Sequence, residues 1–160
     1  MVSLSLVTVI TVVLLLNKNN GKNYHYASYL LIFGCSLFGL YWIHNSLYVI
    51  GGLPFFLSVF STGLLAFYVA TFYIVALALS RIYAFSSLEI AAVITGLELL
   101  RSLLFSGFPW LEIGVLGVDL PLANLAPFLG SYGVTFFIVL CSATLVRNFN
   151  FRSVCRVLSI

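Results

Sequence analysis

An all-α, polytopic transmembrane helix bundle is the fold class this sequence predicts, and three observations predict it. Of the 160 residues, 62% are hydrophobic and only 7% are charged, against about 25% charged in soluble domains. The apolar residues fall into five long runs divided by short polar punctuation. Aromatic residues make up 16% of the chain, which suits a surface meeting lipid and head groups. Helix is the state such runs require, because an open strand leaves backbone groups unpaired in hydrocarbon. The length fits one bundle better than two domains.

The first run, Met1–Leu16, ends at Asn17-Lys18-Asn19-Asn20-Gly21-Lys22-Asn23 and is slightly short against the ~20 residues that cross a ~30 Å core. A signal peptide is the rival reading. No basic leader precedes the run and no small-x-small cleavage site follows it, so a span is expected. The second run covers about Ala27–Ile43 and closes on Tyr41-Trp42-Ile43-His44-Asn45. Gly51-Gly52 precede the third, Pro54–Ser80, where a proline in the first turn gives up no intrahelical bond. The fourth runs from about Leu88 to Phe105, and the fifth from near Pro127 to Val146. Residues 1–148 are thus expected to form the bundle and residues 149–160 a short basic cytoplasmic tail.

Orientation follows from the basic residues. Lys18 and Lys22 follow the first run, Arg81 follows the third, and Arg147, Arg152 and Arg156 follow the fifth. The alternate loops, about 44–53 and 106–126, hold neither Lys nor Arg. About five spans then put the amino terminus outside and the carboxyl terminus in the cytoplasm. That parity, with no charged leader, reads like a chain that has lost an upstream span.

Chemistry-bearing residues are few. Glu98 and Arg101 share one helical face at a spacing of three. They are either a structural pair carried into the bilayer together or a polar patch on a cavity that holds a phospholipid head group. Gly107-Phe108-Pro109-Trp110 ends that helix, since Pro109 disfavours the α conformation at Phe108. Phe108 and Trp110 are read as interfacial anchors or as acyl-chain contacts, and Trp42 likewise. His44, with no acidic neighbour in sequence, reads as an interfacial hydrogen-bonder rather than a catalyst, and with Trp42 it is a candidate lipid- or substrate-facing residue. Glu89 reads as a solvated charge at a helix end.

Nucleophilic catalysis needs a base beside the nucleophile. Ser36, Ser58, Ser61 and Ser80 are expected to have no His or carboxylate beside them to activate them, so no catalytic residue is expected. Cys35, Cys141 and Cys155 show no pairing or metal-ligand spacing. No metal, cofactor or nucleic-acid partner is implied. Cys35, with Gly34 and Gly39 and with Gly63 and Ala66 of the third run, is expected to pack helices closely; Cys141 also reads as a packing residue.

Glu98-Leu99-Leu100-Arg101, followed by Gly107-Phe108-Pro109-Trp110-Leu111, resembles the hallmark of the apolipoprotein N-acyltransferase family. Phe33-Gly34, Leu37-Phe38-Gly39, Tyr41-Trp42-Ile43, Gly51-Gly52-Leu53-Pro54, Leu79-Ser80-Arg81 and Leu125-Ala126-Pro127-Phe128-Leu129-Gly130 are similar to further family stretches in order and spacing. The resemblance implies a multi-pass protein of the bacterial inner membrane. Such enzymes carry a fatty acyl chain from phospholipid to the α-amino group of the lipid-modified cysteine of an apolipoprotein. It also implies eight spans and a nitrilase-like domain whose Glu-Lys-Cys triad forms a thioester. The five runs here resemble the second to sixth spans, and no position matches a catalytic residue.

The expectation is therefore a membrane domain, inactive alone. Its substrates would be phospholipid and lipoprotein, with a separate nitrilase-like domain as partner. The alternative is a non-catalytic module that binds lipid or a partner protein. A transporter is disfavoured, because five spans give no paired inverted repeat.

Overall fold

The structure, a computed structural model, describes residues 22–104 and 107–148 together with Ile10. Among the described residues every regular element is helical. Helix α1 is Lys22–Asn45, continued by a π-helical turn Ser46–Ile50; α2 is Phe55–Ile82 and α3 is Ser87–Leu103. A one-turn helix α4, Ile113–Leu116, and a 3-10 turn, Pro121–Leu125, lead into α5, Ala126–Asn148. Among the described residues three helical stretches are long and apolar enough to cross a membrane: His25–Ile50, Phe55–Ile82 and Pro121–Asn148. Helix α3 has 17 residues and is about 26 Å long. Apart from Ile10, the first apolar run lies outside the described residues, as does the tail 149–160.

The helix starts follow local chemistry. Pro54 (φ −53°, ψ 144°) stands just before α2, where its missing N–H costs nothing. Helix α3 opens with a capping box. Ser86 Oγ accepts the Glu89 N–H at 3.3 Å, and the Glu89 carboxylate accepts the Ser86 N–H at 2.6 Å, so two otherwise orphaned donors are satisfied reciprocally. Glu89 is exposed, but its carboxylate caps the helix rather than standing free as a solvated end charge.

Helix α1 runs further than its sequence suggests. His44, Asn45 and Ser46 read as a stop, yet the chain continues as a π turn, with the Gly51 N–H bonding Ser46 O at 2.9 Å. The turn back to α2 needs Gly52, whose φ is +65°, a region closed to most side chains.

Successive long helices pack against one another along three buried clusters. Leu40, Ala66 and Val69 join α1 to α2. Ile32, Ala70, Leu77, Ala143 and Val146 join α1, α2 and α5. Ala76, Ala91, Ile94, Ile113, Val134, Ile138 and Val139 join α2 to α5. Small side chains let the backbones approach, since lipid supplies no hydrophobic push between helices. Ala66, Ala70 and Ala91 are fully buried in this role.

Several expected packing residues are not. A Cβ on Gly34 or Gly63 would meet nothing within 4 Å, and Cys35 and Cys141 are exposed. Each lies on the outward face of its helix. Gly39 is close-packed, but against Leu111 of the loop after α3 rather than against α2.

Candidate functional site

The loop after α3 is folded back onto the bundle. Leu104 is extended (φ −81°, ψ 145°) and stops the helix. Gly107, at φ +81°, turns the chain, and its N–H bonds Leu104 O at 2.9 Å. A Cβ there would lie 2.6 Å from Ser102 O, so only glycine fits. Leu111 has φ +63°, a strained conformation for a γ-branched residue. It is held by its side chain, which packs on the Leu40–Ala66–Val69 cluster. Gly39 makes the room: an added Cβ would sit 2.5 Å from Leu111 Cδ2.

A buried carboxylate fastens the loop from beneath. Glu98 is 1% exposed. Its Oε1 accepts the Tyr73 hydroxyl at 2.5 Å and the Ile113 N–H at 3.0 Å. Its Oε2 accepts the Thr135 hydroxyl at 2.8 Å. Thr135 Oγ1 in turn accepts the Gly114 N–H at 2.8 Å, while Leu111 O lies 3.1 Å from the Tyr73 hydroxyl. One carboxylate thus ties α3 to α2, α4 and α5.

Glu112 is also buried and accepts the Ser131 hydroxyl at 2.8 Å. This fit depends on two glycines. A Cβ on Gly114 would lie 2.0 Å from Ser131 O, so α4 can rest directly on α5. Gly130 (φ 68°, ψ −179°) breaks α5 one residue before Ser131.

Arg101 is fully buried, and among the described residues none of its three guanidinium nitrogens has a hydrogen-bond partner. The paired reading of Glu98 and Arg101 therefore fails at the level of contact. Glu98 spends its oxygens on other donors, and Arg101 instead sits over the Tyr73 ring with Cζ 5.7 Å from the centroid, a cation–π arrangement. Five N–H donors are held inside the bundle next to a carboxylate that does not take them.

The aromatic candidates lie around this core. Trp42 and Trp110 meet with ring centroids 5.1 Å apart at 59°, each about half exposed. Phe108 packs on the Leu40 cluster. His44 stands apart, stacked on Tyr48 and edge-on to Phe55. Its Nδ1 lies 3.0 Å from Ser58 Oγ, which corrects the expectation that Ser58 has no histidine beside it. The two are 14 residues apart and meet only because the chain reverses at Gly52. Ser58 Oγ also bonds its own helix at Phe55 O, 2.8 Å away, and is fully buried. Such a hydroxyl is a structural link rather than a nucleophile.

Reading the sequence missed Tyr73, Glu112, Ser131 and Thr135. Ser131 and Thr135, spaced by four on an apolar helix, are a polar stripe that was there to be read. Tyr73 gave no such signal. Among the described residues no group of three or more His, Cys, Asp or Glu is gathered to hold a metal ion.

Comparison with known proteins agrees with this framework. A family model described as the apolipoprotein N-acyltransferase N-terminal domain matches residues 1–144. The apolipoprotein N-acyltransferase of Pasteurella multocida is 41% identical over 118 residues, which cover 73% of this chain and 22% of that protein. That of Haemophilus ducreyi is 37% identical over 109 residues, covering 68% of this chain and 22% of that protein. That of Vibrio cholerae is 32% identical over 148 residues, covering 89% of this chain and 29% of that protein. The chain thus spans about a quarter of the length of these curated relatives. With its membrane-length helices and a family model matched over nearly its whole length, this chain belongs to the apolipoprotein N-acyltransferase N-terminal domain family.

Proposed function

We propose that this chain is the membrane domain of an apolipoprotein N-acyltransferase of the bacterial inner membrane. The enzyme transfers an acyl chain from phospholipid to the α-amino group of the lipid-modified cysteine of a lipoprotein. In this reading the bundle holds lipid substrate at the end that carries Trp42 and Trp110, and a nitrilase-like domain supplies the bond-breaking groups.

One observation carries the lipid role: a fully buried guanidinium with no hydrogen-bond partner among the described residues. A charge kept in an apolar bundle costs about 2.5 to 3.5 kcal/mol at mid-helix, and an unmet donor adds to that. A phosphate diester accepts the guanidinium fork in a bidentate, charge-assisted way. Trp110 and Phe108 then flank the acyl chain. Chemistry elsewhere is favoured because both oxygens of Glu98 are occupied and Cys35 and Cys141 face outward.

Two measurements test this. In a photoactivatable phospholipid assay on the purified chain, Arg101→Gln is expected to cut labelling of the peptide spanning residues 97–111 by about tenfold. That is the loss of one charge-assisted contact. Arg101→Lys should retain part of it, and helicity measured alongside confirms that each variant is folded. Labelling unchanged in Arg101→Gln overturns the head-group role. Acyl transfer to a diacylated lipopeptide is expected only when a nitrilase-like domain is added, and turnover by the chain alone would place the chemistry inside the bundle.

A further inference from the structure

At the opposite end of the bundle, the end of α2, the start of α3 and the end of α5 surround a cavity of about 790 Å³. That is within the ~300–1,000 Å³ typical of small-ligand sites. Among the described residues its polar lining is Ser80, Arg81, Ser86, Ser87, Glu89 and Arg147, over an apolar floor of Ile90, Ala143 and Val146. Arg81 and Arg147 are both exposed, so the cavity can be reached from outside.

Its charge is unbalanced toward cation. Among the described residues two guanidiniums and one carboxylate line it, and that carboxylate is engaged by the Ser86 N–H. Ser86 Oγ accepts the Glu89 N–H, and the Ser86 hydroxyl also bonds the Glu89 carboxylate, so both residues are tied into the helix cap. The positive end of the α3 dipole adds to the field. In sequence, Lys18 precedes α1, Lys22 opens it, and Arg152 and Arg156 follow α5.

We propose that this cavity is a binding site for the head group of an anionic phospholipid, distinct from the Arg101 site. Basic pockets between membrane helices on the cytoplasmic side are the sites at which such head groups dock. Arg81 and Arg147 grip the phosphate from two helices, and the floor meets the first carbons of the acyl chains. The bound lipid bridges α2, α3 and α5.

Native mass spectrometry of the full chain released from detergent tests this, with phosphatidylglycerol and phosphatidylcholine of equal chain length as probes. One phosphatidylglycerol is expected to be retained in preference to phosphatidylcholine. Each guanidinium near a membrane surface is worth about fivefold in anionic-lipid affinity. Arg81→Gln should therefore lower the preference about fivefold and the Arg81→Gln/Arg147→Gln pair about 30-fold. The matching Lys variants should keep most of it, and Glu89→Gln should raise it. Equal retention of the two lipids would overturn the proposal. So would an equal loss in the tail pair Arg152→Gln/Arg156→Gln, which would make the effect diffuse charge. Displacement of phosphatidylglycerol by millimolar inorganic phosphate would assign the cavity to a soluble anion and overturn the lipid reading.

Discussion

Replacing Glu98 is the sharpest test of how the loop is held. Its carboxylate satisfies three donors, the Tyr73 hydroxyl, the Ile113 N–H and the Thr135 hydroxyl. Glu98→Ala leaves the Ile113 N–H and the Thr135 hydroxyl buried without an acceptor and the Tyr73 hydroxyl with only Leu111 O. Each such loss is worth about 1 kcal/mol, between the ~0.6 averaged for hydrogen bonds inside membrane bundles and the 1–3 for buried groups generally. The expected loss is about 2–3 kcal/mol.

Glu98→Gln separates hydrogen bonding from charge. Its amide oxygen still takes the Tyr73 and Ile113 donors, and one NH2 proton goes to Thr135 Oγ1, which already accepts the Gly114 N–H, so the Thr135 proton and the second amide proton go unmet. That variant is expected to lose about 1 kcal/mol. Equilibrium unfolding in mixed micelles of sodium dodecyl sulfate and dodecyl maltoside reads the global change. Tryptophan emission reads the loop, because release of Trp110 from Trp42 shifts it to longer wavelength. If Glu98→Gln costs as much as Glu98→Ala, charge compensation of Arg101 rather than donor satisfaction governs the site. If Glu98→Ala costs under about 1 kcal/mol, the carboxylate does not anchor the loop.

Other substitutions probe neighbouring contacts. Gly114→Ala drives a methyl into the Ser131 carbonyl and is expected to cost about 2–3 kcal/mol as backbone overpacking, seen in thermal unfolding in detergent. Gly39→Ala meets only the flexible end of Leu111 and should cost about 1 kcal/mol in the same assay. Trp42→Phe or Trp110→Phe should each abolish the near-ultraviolet exciton signal of the paired indoles, with a loss of about 1 kcal/mol. Ser58→Ala should cost about 1 kcal/mol by leaving His44 Nδ1 without its partner.

The helical class and the α2 and α3 starts were legible because each is written locally. Unbroken apolar length and Pro54 need no tertiary context; the Ser86–Glu89 box is equally local but is missed by reading Glu89 as a solvated charge. What was not legible depends on residues far apart in sequence. The π turn carries α1 past a polar run that normally ends a helix, because His44 finds Ser58 and Phe55 on α2. Gly34, Cys35 and Gly63 are as small as Gly39 and Ala66, and only the rotation of each helix decides which of them meets a neighbour. Glu98 and Arg101 were visible as a pair, but their spacing said nothing of Tyr73 and Thr135, the groups that Glu98 chose instead. The break at Gly130 was hidden for a similar reason. Its φ of 68° becomes intelligible only once Ser131 is seen reaching Glu112.

The manner in which Glu98 is satisfied bears on how the protein is made. On the five-span reading, α3 would present a carboxylate and a guanidinium to the translocon, each at a penalty of about 2.5–3.5 kcal/mol at mid-helix. The groups that neutralise this penalty arrive at different times. Tyr73 is synthesised before α3, and Thr135 emerges only after it. Helix α3 is thus expected to linger at the lateral gate until α5 follows, the later segment rescuing the earlier one.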